Sequence, residues 1–240
     1  MARVPGTPPL LLLFDIDGTL VWRASLEHAE ALRIAIHEVH GVDTRAVRAR
    51  ISPAGRTDGE IARMLLLDLG VSQAAIDEHA GDVAAACVQA YVRLCPPDLS
   101  DKVVPGIPDL LGWLDGRPDV RLSLVTGNYE GVARLKLKRA GIGHYFPPGQ
   151  GGFGTDSEDR AALPHIARKR AGHDGIEYPR ARTIVIGDTP RDIACARADG
   201  LRVFAVATGA ARAPELAEAD GVAEDPRELQ ELLGQALAES

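Results

Sequence analysis

The sequence predicts an α/β fold: a parallel sheet covered by helices on both faces, with an all-helical segment inserted after the first strand. Two patterns predict it. Short continuous apolar runs, each ending in a turn residue and followed by a segment of helical period, recur along the chain as buried parallel strands and crossover helices do. Between the first such run and the second lies a long stretch with helical periodicity only.

The first run, Leu10-Leu11-Leu12-Leu13-Phe14, ends in Asp15, and Gly18 breaks it. Later runs at 120–125, 183–186 and 203–206 have the same character, and a further short strand is expected near Tyr145-Phe146. Apolar residues at three- and four-residue spacing predict helices over 130–140, 159–172, 190–199 and 226–238. The insert reads as helices over 26–40, 58–69 and 73–94. Clustered prolines from Cys95-Pro96-Pro97 to Val104-Pro105-Gly106 read as the return linker, and the outgoing hinge is expected over 21–25. The expected division is therefore residues 1–21 and 96–240 for the core and 22–95 for a helical cap.

At 240 residues, 45% hydrophobic and 25% charged, the chain has the composition of an ordinary globular protein. A formal net charge of −7 leaves no basic footprint for nucleic acid. Cys87, Cys95 and Cys195 form no C-x-x-C pair, which predicts reduced thiols rather than a zinc site or disulfide framework. The apolar run after Arg3 is cut by Asp15 and Asp17 before it reaches signal-peptide form, and no stretch approaches membrane-spanning length. A cytoplasmic protein is expected, as monomer or homodimer.

Asp15 and Asp17 lie two apart, so continued strand geometry turns both to one face. In open parallel sheets ligands collect beyond the carboxyl ends of the strands, and close carboxylates there invite a divalent cation. Asp188 and Asp192 follow the 183–186 run, with Pro190 suited to the first turn of a helix. Oxygen ligands of this kind suit magnesium; alternatively Asp188 caps a helix and Asp192 is a surface residue. Thr126-Gly127-Asn128 ends another strand before a helix, and either holds an anion or forms a plain turn.

Phe14-Asp15-Ile16-Asp17-Gly18-Thr19-Leu20, Val125-Thr126-Gly127-Asn128 and Gly187-Asp188-Thr189-Pro190-Arg191-Asp192, in that order, resemble the haloacid dehalogenase superfamily. The resemblance implies a Rossmann-like core with a helical cap and a phosphatase of the phosphoglycolate phosphatase-like or β-phosphoglucomutase-like branch. It casts Asp15 as nucleophile, forming an aspartyl-phosphate, and Asp17 as the acid and base that serves leaving group and water. It assigns magnesium to the Asp15 side chain, the Asp17 carbonyl and Asp188, with Asp192 in support. Thr126 and the amides that follow it, at Gly127 and Asn128, would hold the phosphoryl group. Asp17 itself argues against carbon–halogen or carbon–phosphorus cleavage, whose family branches generally lack an acid there.

One position departs from the family pattern. Where a lysine is usual before the last motif, this chain offers Arg160, while Lys169 lies deeper in the predicted helix. In the cap, Arg56 either reaches the substrate or serves cap structure, and Thr57 or Asp58 caps the helix after it. Trp22 reads as packing, and His37 with His40 as helix surface. The expected activity is magnesium-dependent hydrolysis of a small phosphorylated metabolite. The alternatives are a sugar-phosphate mutase, a phospholigand-binding protein without turnover, and a dehalogenase.

Overall fold

A computed structural model describes residues 8–22, 24, 26–47 and 52–239. Strand β1 (Leu10–Phe14) is buried along its whole length because parallel neighbours flank it and helices cover both faces. Leu12 stands opposite Leu122 of β2 (Val120–Thr126) on one side and Ile184 of β4 (Thr183–Gly187) on the other. With β3 (Gly152–Phe153), β5 (Arg202–Val206) and β6 (Gly221–Ala223), the described residues form one sheet, all parallel, of order β3-β2-β1-β4-β5-β6.

Alternate β1 residues enter two cores. Leu10, Leu12 and Phe14 pack with α4 (Ile107–Asp115), α5 (Glu130–Arg139) and α8 (Pro226–Ala238). Leu11 and Leu13 pack with α6 (Leu163–Ala171) and α7 (Pro190–Ala198). Each fully buried leucine here contributes about 1.5–3 kcal/mol of burial. The chain runs outward from β1 through β2 to β3, then returns to place β4 on the other side of β1. That reversal opens a crevice at the carboxyl ends of β1 and β4.

The insert holds α1 (Leu26–His40), α2 (Asp58–Asp68) and α3 (Gln73–Leu94). Its ends run side by side: Val21 bridges Val103 antiparallel, the Trp22 amide donates to the Lys102 carbonyl, and the Val104 amide donates to the Leu20 carbonyl. Of the predicted outgoing hinge, Arg23 and Ser25 lie outside the described residues, as does Arg3.

Four elements differ from the sequence expectation, one of them the three-residue strand β6, which no apolar run announces. Tyr145 and Phe146 lie in and just after a 3-10 turn, and the edge strand is instead Gly152–Phe153, whose two residues are too few to show a period. Helix α4 begins directly after Gly106, whose φ of 89° only glycine adopts freely, and Pro108 fits because the first turn needs no amide there. The helix predicted over 159–172 starts as a 3-10 turn, Arg160–Ala162, and becomes α-helical at Leu163.

Candidate active site

Asp15 extends β1 by one residue, its amide donating to the Ile186 carbonyl of β4 (2.8 Å). Its buried carboxylate faces the crevice beside those of Asp188 and Asp192, and ligand atoms of the three lie within 4.8 Å of one another. Burial pushes the Asp15 carboxyl well up; the Arg160 guanidinium opposes this, and the Asp192 and Asp17 carboxylates add to it. Asp188 is raised likewise, by burial and then by Asp192 and Asp15. The two faces of Asp188 are closed by Gly18 and Gly209, where a Cβ would overlap its carboxylate. Gly18, at φ 95°, also makes the turn that lets the chain leave β1. Thr19 Oγ1 donates to Asp188 Oδ1 (3.3 Å).

This packed, mutually repelling set fits an oxygen-ligated divalent cation: three buried carboxylates converge, with one guanidinium to offset them. Asp192 is neither a pure cap nor a surface residue. It closes a capping box with Thr189 at the start of α7, its Oδ2 accepting from the Thr189 amide (2.9 Å) and hydroxyl (2.6 Å), while Oδ1 accepts from Arg160 Nη2.

Arg160 occupies the cationic position. Its Nη2 lies 3.1 Å from Asp15 Oδ1 and also holds Asp192, its Nη1 abuts Gly127, and its buried Nε has no hydrogen-bond partner. Lys169 is exposed. Thr126 ends β2 with its hydroxyl accepting from the Asn128 amide (3.4 Å), so the turn folds around the threonine oxygen. Gly127 has no room for a side chain, because the Arg56 carbonyl of the insert lies over it.

Asp17 turns to different partners. Lys136 of α5 sits wholly buried and places its Nζ 2.7 Å from both Asp17 oxygens and 2.9 Å from Asn128 Oδ1. Asn128 Nδ2 closes the ring by donating to Asp17 Oδ2 (2.9 Å). Burial works to raise the Asp17 carboxyl, but the Lys136 ammonium and the bonds from Lys136 and Asn128 outweigh it and hold it below the usual carboxylate range. Among the described residues the Asn128 side chain therefore addresses Asp17 and Lys136.

The insert closes the crevice from above. Thr57, not Asp58, caps α2, accepting from the Glu60 amide and donating to the Glu158 carbonyl of the core. Asp58 instead crosses the gap: its amide donates to the Gly127 carbonyl, and its Oδ2 accepts from the Tyr129 amide at the head of α5 (2.7 Å) and meets His28 Nε2 (3.0 Å). Arg56 lines the cavity but is tied to the Ser52 carbonyl and Glu60. The half-open cavity is about 670 Å³, lined by Asp15, Asp17 and Arg160 of the core and by Trp22, Leu32 and Ile61 on the insert side.

Sequence reasoning missed Lys136, His28 and the crossing role of Asp58. Lys136 did leave a signal: it falls on the apolar stripe Val132, Ala133, Leu137 of α5, where a solvated lysine does not belong. No described helix is long and apolar enough to cross a membrane.

A family model described as haloacid dehalogenase-like hydrolase matches residues 12–197. Phosphoglycolate phosphatase of Rhodospirillum rubrum is 29% identical over 210 residues, 86% of this chain and 83% of that protein. Phosphoglycolate phosphatase of Pseudomonas fluorescens (strain Pf0-1) is 28% identical over 219 residues, 85% of this chain and 72% of the relative. Among solved structures, β-phosphoglucomutase from Clostridium difficile superposes with a TM-score of 0.66 at 18% identity, covering 96% of this chain and 98% of that one. CbbY from Rhodobacter sphaeroides in complex with phosphate gives 0.61 at 20% identity, covering 92% and 96%.

Proposed function

Since the chain belongs to the haloacid dehalogenase-like hydrolases, we propose that it is a magnesium-dependent phosphatase that hydrolyses a small-molecule phosphate monoester through an aspartyl-phosphate on Asp15. The observation that carries this reading is the convergence of Asp15 and Asp188 at the reversal of the sheet, with Arg160 against the nucleophile.

Asp17, which Lys136 and Asn128 favour as a carboxylate, takes up a proton as the substrate dianion enters; Asp15 then attacks phosphorus in line while the ester oxygen departs with that proton. Water then attacks the aspartyl-phosphate as Asp17 takes its proton, and phosphate leaves. The Thr126 hydroxyl, the amides after it, and the Arg160 guanidinium through Nη1 gather the phosphoryl oxygens, whose charge is the main thing to stabilise. Magnesium would be held by Asp15, Asp188 and the Asp17 carbonyl, and supplies positive charge to the transferring group. Asp192 supports it indirectly, by fixing Arg160 and the head of α7.

We assign residues 22–95 to the cap, which excludes bulk water when docked, and the protein to the cytoplasm. The substrate class is a small phosphorylated metabolite. Phosphoglycolate is the first to assay, given the activity named for the Rhodospirillum and Pseudomonas relatives. Phosphate release across a panel of metabolite esters, with and without magnesium, tests the reading. Asp15→Asn is expected to lower turnover by at least about 10³-fold with an unchanged far-ultraviolet spectrum. Isomerised sugar phosphate without released phosphate would establish a mutase instead.

A further inference from the structure

Lys136 touches neither the carboxylates around Asp15 nor the cavity, yet it carries a charge in the interior. A buried ammonium is costly unless every proton is matched, and here its bonds all go to two residues that do line the cavity: Asp17, through both oxygens, and Asn128, through Oδ1. Asn128 Nδ2 returns to Asp17 Oδ2, so lysine, amide and carboxylate form a closed triangle. The Asn128 amide in turn donates to Thr126 Oγ1, which ties the triangle to the phosphoryl-binding turn. Asp17 is 28% exposed, lines the cavity and directly precedes the turn that begins at Gly18; no other side chain among the described residues bonds its carboxylate.

We propose that Lys136 is a positioning residue for Asp17: from behind the cavity wall, with Asn128, it fixes the direction in which the Asp17 carboxyl meets the ester oxygen and the attacking water. The inference rests on the phosphatase reading above. Misplacing a proton-transfer group by an ångström costs up to about 10²-fold in rate. The attack of water on the aspartyl-phosphate is common to all esters, whereas in the first displacement, which kcat/KM reads, the loss is felt only where the departing oxygen needs the proton. An alkoxide does. A 4-nitrophenolate, already a stable anion, does not.

Steady-state kinetics of Lys136→Met, which keeps the length of the chain and removes the charge, are therefore measured on an alkyl phosphate ester and on 4-nitrophenyl phosphate. The expected result is a loss in kcat/KM of about 10²-fold on the alkyl ester and of under about tenfold on the aryl ester. Lys136→Met added to Asp17→Asn is expected to cost the alkyl ester nothing further. Equal losses in kcat/KM on both esters, or full additivity with Asp17→Asn, would overturn the positioning role while leaving the phosphatase reading intact. Wild-type protein that hydrolyses neither ester would overturn both. If Lys136→Met does not fold, the double variant, in which neither charge remains, and Lys136→Gln carry the same comparison.

Discussion

Arg160 reaches Asp15 from a 3-10 turn rather than from the interior of a helix, which brings its base close and lets the planar guanidinium divide its nitrogens. One holds Asp15 and Asp192, one lies at Gly127, and Nε is buried without a hydrogen-bond partner. A lysine could supply the charge but not the planar fork. Arg160→Ala is expected to lower kcat/KM by about 10²–10³-fold, and Arg160→Lys to recover part of that. Lys169→Ala should stay within about twofold of wild type, all read from steady-state phosphate release. This placement was legible because Asp159 and Arg160 stand just before an apolar period. Lys136 lies on the apolar stripe of α5, which points to its burial, but its partners Asp17 and Asn128 come from outside the helix and no local pattern names them.

At the scale of elements, the strands that carry the motifs were the plainest part of the sequence, since β1, β2, β4 and β5 are long enough for an apolar run to stand out. What escaped has a common cause. Strands β3 and β6 are two and three residues long, and α4 opens with Ile107-Pro108 directly behind Pro105-Gly106, so its start resembles a linker. The docking of α2 was equally hidden, because Asp58 looks like any acid in a first turn. Asp58→Ala strands the His28 ring and the Tyr129 amide in a buried gap, at about 1–3 kcal/mol. The expected outcome is a melting temperature lower by roughly 3–10 °C and a KM that rises more than kcat falls, checked by thermal melts and kinetics on one preparation.

For the whole molecule, the carboxylate cluster makes stability depend on pH and metal together. Asp15 and Asp188 keep protons in the metal-free fold to a higher pH than the ordinary carboxylate value of 3.8, Asp15 to about 7 and Asp188 to about 8. The folded state thus binds more protons than the unfolded chain across that interval, so stability is fully present below it and is lost as pH rises through it. Melting temperatures in chelator should fall from pH 5 to pH 8, and magnesium should restore them most at the upper end. A metal-free melt that rises over this range would contradict the arrangement. The paired ends of the insert have a different consequence. Because Val21 and Val103 leave the sheet as neighbours, the chain between them is an excursion that begins and ends at one spot, and the strand order would be the same whatever it contained. Lineages can thus inherit the sheet and its carboxylates unchanged while trading one excursion for another. A graft that keeps the footholds at Gly127, Tyr129 and Glu158 presents new walls to an old floor.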